Sequence, residues 1–192
     1  MPLPLPAPGL RRLFVCLLPH EPARHAIARL RSEWHWPAHR WWTESERLHV
    51  TVADPLYYAD AELARLREGL RQLRFGPFTL RLQRAHVGGS HLVLQATPSP
   101  AFKALQAEVA DLARRAHAPF WHRPGAHVTL SRDALGVAPP RLPQAIDWPV
   151  SEVCLVWLQL TPEVGRRHYE VLATCGASEA LVAPAQLSFG FQ

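Results

Sequence analysis

Two short segments, "RLHVTV" at 47–52 and "AHVTLS" at 126–131, alternate strictly between aliphatic and polar residues. Period-two alternation belongs to a β-strand, because successive side chains leave the strand on opposite sides. Leu48, Val50 and Val52 therefore share one face, and His49 and Thr51 share the other. In the second segment Ala126, Val128 and Leu130 oppose His127, Thr129 and Ser131. Of the 11 histidines, only His49 and His127 are followed two positions later by Ser or Thr. Brought together, the two polar faces put two imidazoles and two hydroxyls around one small space.

The rest of the chain supplies helices and strands in alternation. "RLFVCLL" reads as a strand buried on both faces, and "EPARHAIARLRSEW" as a helix with Ile27, Leu30 and Trp34 on one side. "WHWPAHRWWTESER" is a connecting loop. Asp60 is placed to cap "AELARLREGLRQL", whose Leu63, Leu66, Leu70 and Leu73 form an apolar stripe. Strands follow at "FTLRLQ" and "SHLVLQA", with "VGG" as the turn. Ser99 and Pro100 open a second striped helix through Phe102, Leu105, Val109 and Leu112. Further strands are expected at "SEVCLVWLQL" and "RHYEVLAT", while "LVAPAQLSFGFQ" shows no decisive pattern.

These elements predict an α+β fold: two pseudo-duplicated lobes of antiparallel or mixed sheet, facing a central cleft and each backed by helices. No linker or charge block divides the chain, so residues 1–10 are expected to be a flexible, proline-interrupted tail and 11–192 a single bilobal domain. That opening cannot form the helical core of a signal peptide, and no run is long enough to span a membrane. The widely spaced Cys16, Cys154 and Cys175 suit buried thiols in a reducing cytoplasm. A monomer is expected. The formal charge of +5 is carried almost wholly by arginine, Lys103 being the only lysine. Arginine suits bidentate contact with phosphate, so an anionic partner such as RNA fits this balance, as does an arginine-rich genome composition.

Breaking a phosphodiester needs a base to activate the attacking oxygen and an acid to protonate the leaving one, on opposite sides of phosphorus. Histidine takes either role near neutral pH. Thr51 and Thr129 can donate to the non-bridging oxygens, and Arg132 can add positive charge to the same phosphate. No metal and no cofactor are required for that chemistry.

The pair "HVTV" and "HVTL" resembles the twin H-x-T/S-x motifs of the two-histidine phosphoesterase superfamily. "HVTLSR" is similar to the second motif of its bacterial RNA 2′,3′-cyclic phosphodiesterases, also called 2′-5′ RNA ligases. "RRLFVCLLPHEPA", "WWTESERLHVTV" and "VCLVWLQLTPEVGRRHYEVLAT" extend the likeness over most of the chain; the family's usual aromatic and Leu-Gly after the first motif are replaced by "ADPL". The resemblance implies that His49 donates a proton to the leaving ribose oxygen and that His127 accepts one from water. It implies that Thr51, Thr129 and Arg132 hold the phosphate. The substrate it implies is an RNA 2′,3′-cyclic phosphate end, opened to a 2′-phosphate or joined to a 5′-hydroxyl without a nucleotide cofactor.

Other readings compete. The two histidines can be hydrogen-bonded core residues, and Arg132 a surface ion-pair partner. Trp34, Trp36, Trp41 and Trp42 suit either packing or base stacking, with Trp42 the candidate at the cleft. His117, His122 and His127 recur every five residues without the usual companions of a zinc site, and Asp54 and Asp133 either end their strands or hold a divalent ion. At the level of function, the rivals are an RNA-binding module without turnover and a sister phosphodiesterase acting on small cyclic nucleotides or 2′-5′ oligonucleotides.

Overall fold

Strand burial decides the architecture. The computed structural model describes residues 10–178, apart from 38, 119–120, 122–124 and 162–165. Most of the expected amino-terminal tail, and "LVAPAQLSFGFQ", lie outside the described residues. In chain order the elements are β1 (Arg11–Leu17), α1 (Glu21–Glu33), β2 (Val50–Tyr58), α2 (Asp60–Gln72), β3 (Phe78–Gly88), β4 (His91–Ala96), α3 (Pro100–Arg115), β5 (His127–Ser131), β6 (Ile146–Val150), β7 (Glu152–Thr161) and β8 (Arg166–Gly176).

The eight described strands form one curled sheet in the order β6-β3-β4-β5-β2-β1-β7-β8. Every described pairing is antiparallel. The two lobes are the four-stranded halves of this sheet, and they meet where β2 pairs with β5 through Val50 and Val128. Each half carries one H-V-T segment at that seam. The fold is thus α+β, as the sequence predicts.

The three described helices cover one face. α1 packs on β6, α2 on β8 and β2, and α3 on β2, β3 and α2. Val50, Val52, Val128 and Leu130 join Phe102, Leu105, Val109 and Leu112 in the main core, which spans both halves. Each such side chain stabilises the fold by about 1.5–3 kcal/mol when fully buried, more than the ~0.5–1 kcal/mol lost in ordering a leucine side chain. α2 and α3 approach closely at Gly69, where an added Cβ would lie 2.8 Å from Cγ of Leu112. The expected cap of α3 is present, with Ser99 Oγ accepting from the Phe102 amide at 3.2 Å.

β1 is buried on both faces for the reason its unbroken apolar run suggests. Leu13, Val15 and Leu17 enter the main core, whereas Phe14 and Cys16 join Cys154, Val156 and Leu158 in a smaller cluster on the opposite, open side of the sheet. All three cysteines are buried free thiols, and desolvation raises the pKa of each.

Four local expectations change. Asp54 does not end its strand: β2 continues through Pro55 because two residues there oppose one on β1, between the pairs Leu13–Leu56 and Val15–Ala53. Such a bulge tolerates a residue that cannot donate to the ladder. Asp60 is the first residue of α2 and not its cap; Glu62 accepts from the amide of Ala59, which precedes the helix, at 3.0 Å. β3 runs on through "RAHVG", so the hairpin turn is Gly89-Ser90, with Gly89 at φ +59°. β6, "IDWPV", was not expected. It lies at the sheet edge against β3, where Pro149 is tolerated, and buries Trp148.

Candidate active site

The seam register assembles the site. Val50 and Val128 are opposite each other and fully buried on the helix side. Antiparallel pairing then sets His49 across from Thr129 and Thr51 across from His127, all four on the open face. They line one cavity of about 420 Å³ together with Arg132. The sequence reading placed these five residues at one site, and the structure brings all five to one cavity.

The two imidazoles are held alike. His49 Nδ1 lies 2.7 Å from the carbonyl of Arg47, two residues before it. His127 Nδ1 faces the carbonyl of Gly125, also two residues before it, at 3.4 Å. A carbonyl only accepts, so each Nδ1 carries the hydrogen, and Nε2 of each ring is left for chemistry. A neutral ring in this tautomer takes a proton at Nε2, and a charged ring gives one from the same atom.

Their surroundings differ. His49 sits against Phe14, ring centroids 5.2 Å apart, and edge-on to Tyr169 at 5.5 Å. Desolvation pushes its pKa down to about 4; the Arg47 carbonyl opposes this, while the charges of Arg132, His127 and Arg47 add to it. With no anion at the site, His49 is therefore uncharged at neutral pH. An arriving phosphate anion offsets these cations and favours the imidazolium.

Two loops close the splayed ends of the seam in matching fashion. The Thr43 amide donates to the carbonyl of Leu130 at 2.7 Å, and the Asp54 amide to that of Trp121 at 2.6 Å. The approach to each motif thus binds the strand of the other. Ser131, expected on the polar face with His127 and Thr129, is fully buried. Its hydroxyl donates to the Trp41 carbonyl and accepts from the Asp133 amide, both at 3.0 Å.

Trp42 does not lie at the cleft. It stacks on Trp36 at 4.2 Å, packs near Trp34, and carries the Arg31 guanidinium over its ring at 5.3 Å, against the main core. Trp41 is exposed, at 69%. Arg31 also donates to the Thr43 carbonyl at 2.9 Å, so this cluster anchors the loop that binds β5. His117 lies beyond the end of α3, and His122 is outside the described residues. Among the described residues, no three His, Cys, Asp or Glu side chains gather as metal ligands. The β2 bulge brings Asp54 to the cavity, whereas Asp133 is not among its lining residues.

Sequence reasoning missed Phe14 and Tyr169, the aromatic wall beside His49, and His86 and His91 on the β3–β4 hairpin. The available signal was the two-sided burial of β1, which requires a second apolar cluster on the open face. For His86 the signal was the alternation that resumes at Ala85, His86 and Val87 after a one-residue slip at Gln83-Arg84, where β3 is irregular.

Comparison with known proteins agrees with this arrangement. A family model described as the 2′-5′ RNA ligase superfamily matches residues 18–162. Among solved structures, E. coli LigT in apo form superposes with a TM-score of 0.73 at 23% identity, covering 88% of this chain and 99% of that one. A crystal structure described only as a phosphoesterase gives 0.73 at 22%, covering 88% and 98%. TT0787 of Thermus thermophilus gives 0.66 at 25%, covering 86% and 97%. No curated protein sequence matches significantly. The structural likenesses establish the shared fold, and the family match runs through both H-V-T strands and most of the chain. The chain belongs to the 2′-5′ RNA ligase superfamily, within the two-histidine phosphoesterases.

Proposed function

We propose that this protein opens 2′,3′-cyclic phosphates at RNA 3′ ends, leaving 2′-phosphates. The observation that carries the reading is the paired setting of His49 and His127: each Nδ1 faces a backbone carbonyl two residues back, each Nε2 is left for one cavity, and each ring has a threonine across the seam.

In this mechanism His127 Nε2 takes a proton from water as its oxygen bonds to phosphorus. The bond from phosphorus to the ribose 3′-oxygen breaks, and His49 Nε2 protonates that oxygen. Thr51 and Thr129 donate to the non-bridging oxygens, and Arg132 balances their charge. Such preorganised donors act most strongly where charge grows in the transition state. Tyr169, half-buried at the cavity and backed by the buried Phe14, offers an aromatic surface on which the terminal base can stack. With an RNA 5′-hydroxyl in place of water, the same steps in the same direction form a 2′-5′ linkage: His127 takes the hydroxyl proton, the bond to the 3′-oxygen breaks, and His49 protonates that oxygen.

All the residues of this scheme come from one chain, which supports action as a monomer. Neither a metal nor a cofactor enters the scheme. Among the described residues no helix is long and apolar enough to cross a membrane.

The test is a short RNA ending in a 2′,3′-cyclic phosphate, incubated with excess chelator and resolved by chromatography for the position of the phosphate. Wild-type protein is expected to give the 2′-phosphate, and His49→Ala or His127→Ala to lose about a hundred- to ten-thousandfold in rate. Full activity in both variants contradicts the assignment. Salt-sensitive RNA binding without any product favours the non-catalytic module instead.

A further inference from the structure

A second cavity, of about 920 Å³, adjoins the first and shares Gln95 and Gly125 with it. Its floor includes Pro98, Phe102 and Ala126, and its rim carries two cations, Arg84 and Lys103. Strand register joins it to the chemistry. Cys16 pairs with Thr51, His127 with Gln95, and Gln95 with Arg84. Thr51 lies across the seam from His127, so one rung of the open face runs from Cys16 through Thr51, His127 and Gln95 to Arg84, and His49 stands on the neighbouring rung. Two strand spacings, roughly 10 Å, separate β5 from β3 along that rung. At the junction Gly125 has φ +81°, and among the described residues nothing lies within 4 Å of where its Cβ would stand.

An apolar floor beside two basic side chains matches a nucleotide, with a flat base and a charged phosphate. A free cyclic mononucleotide has no phosphate to place there; a strand does. We infer that this groove holds the nucleotide preceding the reacting end of an RNA strand, with its phosphate between Arg84 and Lys103 and its base on the apolar floor. The assignment rests on the cyclic-phosphate reading above. It makes the protein selective for RNA ends over mononucleotides, through binding and not through the chemical step.

The experiment compares a nucleoside 2′,3′-cyclic monophosphate with a pentanucleotide carrying the same end. The proteins are wild type, Arg84→Ala, Lys103→Ala and the double variant. Arg84 and Lys103 are exposed, so their removal leaves the core intact. For the pentanucleotide, the double variant is expected to raise KM about tenfold or more with kcat unchanged. It also lowers the slope of log KM against log salt by about 0.7 to 1, as expected for the loss of one neutralised phosphate. Mononucleotide kinetics are expected to stay at wild-type values. Wild-type KM values equal for the two substrates, or a double variant with unchanged pentanucleotide KM, overturn the groove assignment and leave the cyclic-phosphate reading standing. A wild-type protein that opens neither ester overturns both.

Discussion

Replacing His49 by glutamine has a consequence for folding as well as for catalysis. Burial and neighbouring cations hold the folded-state pKa near 4, against an ordinary 6.5. The native ring is neutral, so the unfolded chain takes up the proton first as pH falls. Stability from this group is therefore fully present above about pH 6.5, falls between 6.5 and 4, and levels off below that. For a shift of this size, linkage gives a loss of about 2 kcal/mol between about pH 7.5 and pH 5. Screening of a half-buried ring reduces it to about 1–2 kcal/mol. The assay is urea denaturation at both pH values, for wild type and His49→Gln. Histidines elsewhere titrate in both proteins, so the difference between the two losses isolates His49. The variant is expected to lose about 1–2 kcal/mol less than wild type on acidification. Equal losses would refute the claim that His49 is desolvated and uncharged before an anion arrives.

Gly69→Ala sets helix propensity, worth about 1 kcal/mol in favour of alanine, against a methyl placed inside contact distance of Leu112. Overpacking costs about 1–3 kcal/mol, so net destabilisation of up to about 2 kcal/mol is expected, read from the urea midpoint. Trp148→Ala empties the largest fully buried side chain described, under edge strand β6, and is expected to cost about 3–5 kcal/mol. Inorganic phosphate is expected to raise the pKa of His49, seen by NMR titration of its ring, because an anion beside Arg132 reverses the balance of charge; no movement would place phosphate elsewhere.

The H-V-T strands were legible because a period of two leaves no choice about which residues share a face, and the structure keeps the five predicted residues on one cavity. The helices were legible for a similar reason: Leu63, Leu66 and Leu70, and Phe102, Leu105, Val109 and Leu112, bury the stripes their spacing draws. What local pattern could not give is which distant strand lies next to which. Phe14 and Tyr169 reach His49 through the order β2-β1-β7-β8, set by pairings that span the whole chain. β6 was overlooked because Pro149 argues against a strand, an argument that fails at a sheet edge. Trp42 was misplaced because an aromatic beside basic residues looks the same whether it stacks on a base or, as here, lies under Arg31.

The central claim is that His49 and His127 divide acid and base duties on one phosphorus. It is tested most directly by pairing each alanine variant with two substrates: the RNA cyclic phosphate, and a phosphodiester whose nitrophenolate leaving group departs without a proton. His49→Ala is expected to lose at least about a hundredfold on the first and far less on the second, while His127→Ala loses comparably on both. Equal losses for both variants on both substrates, or rescue of His127→Ala instead of His49→Ala, would contradict it.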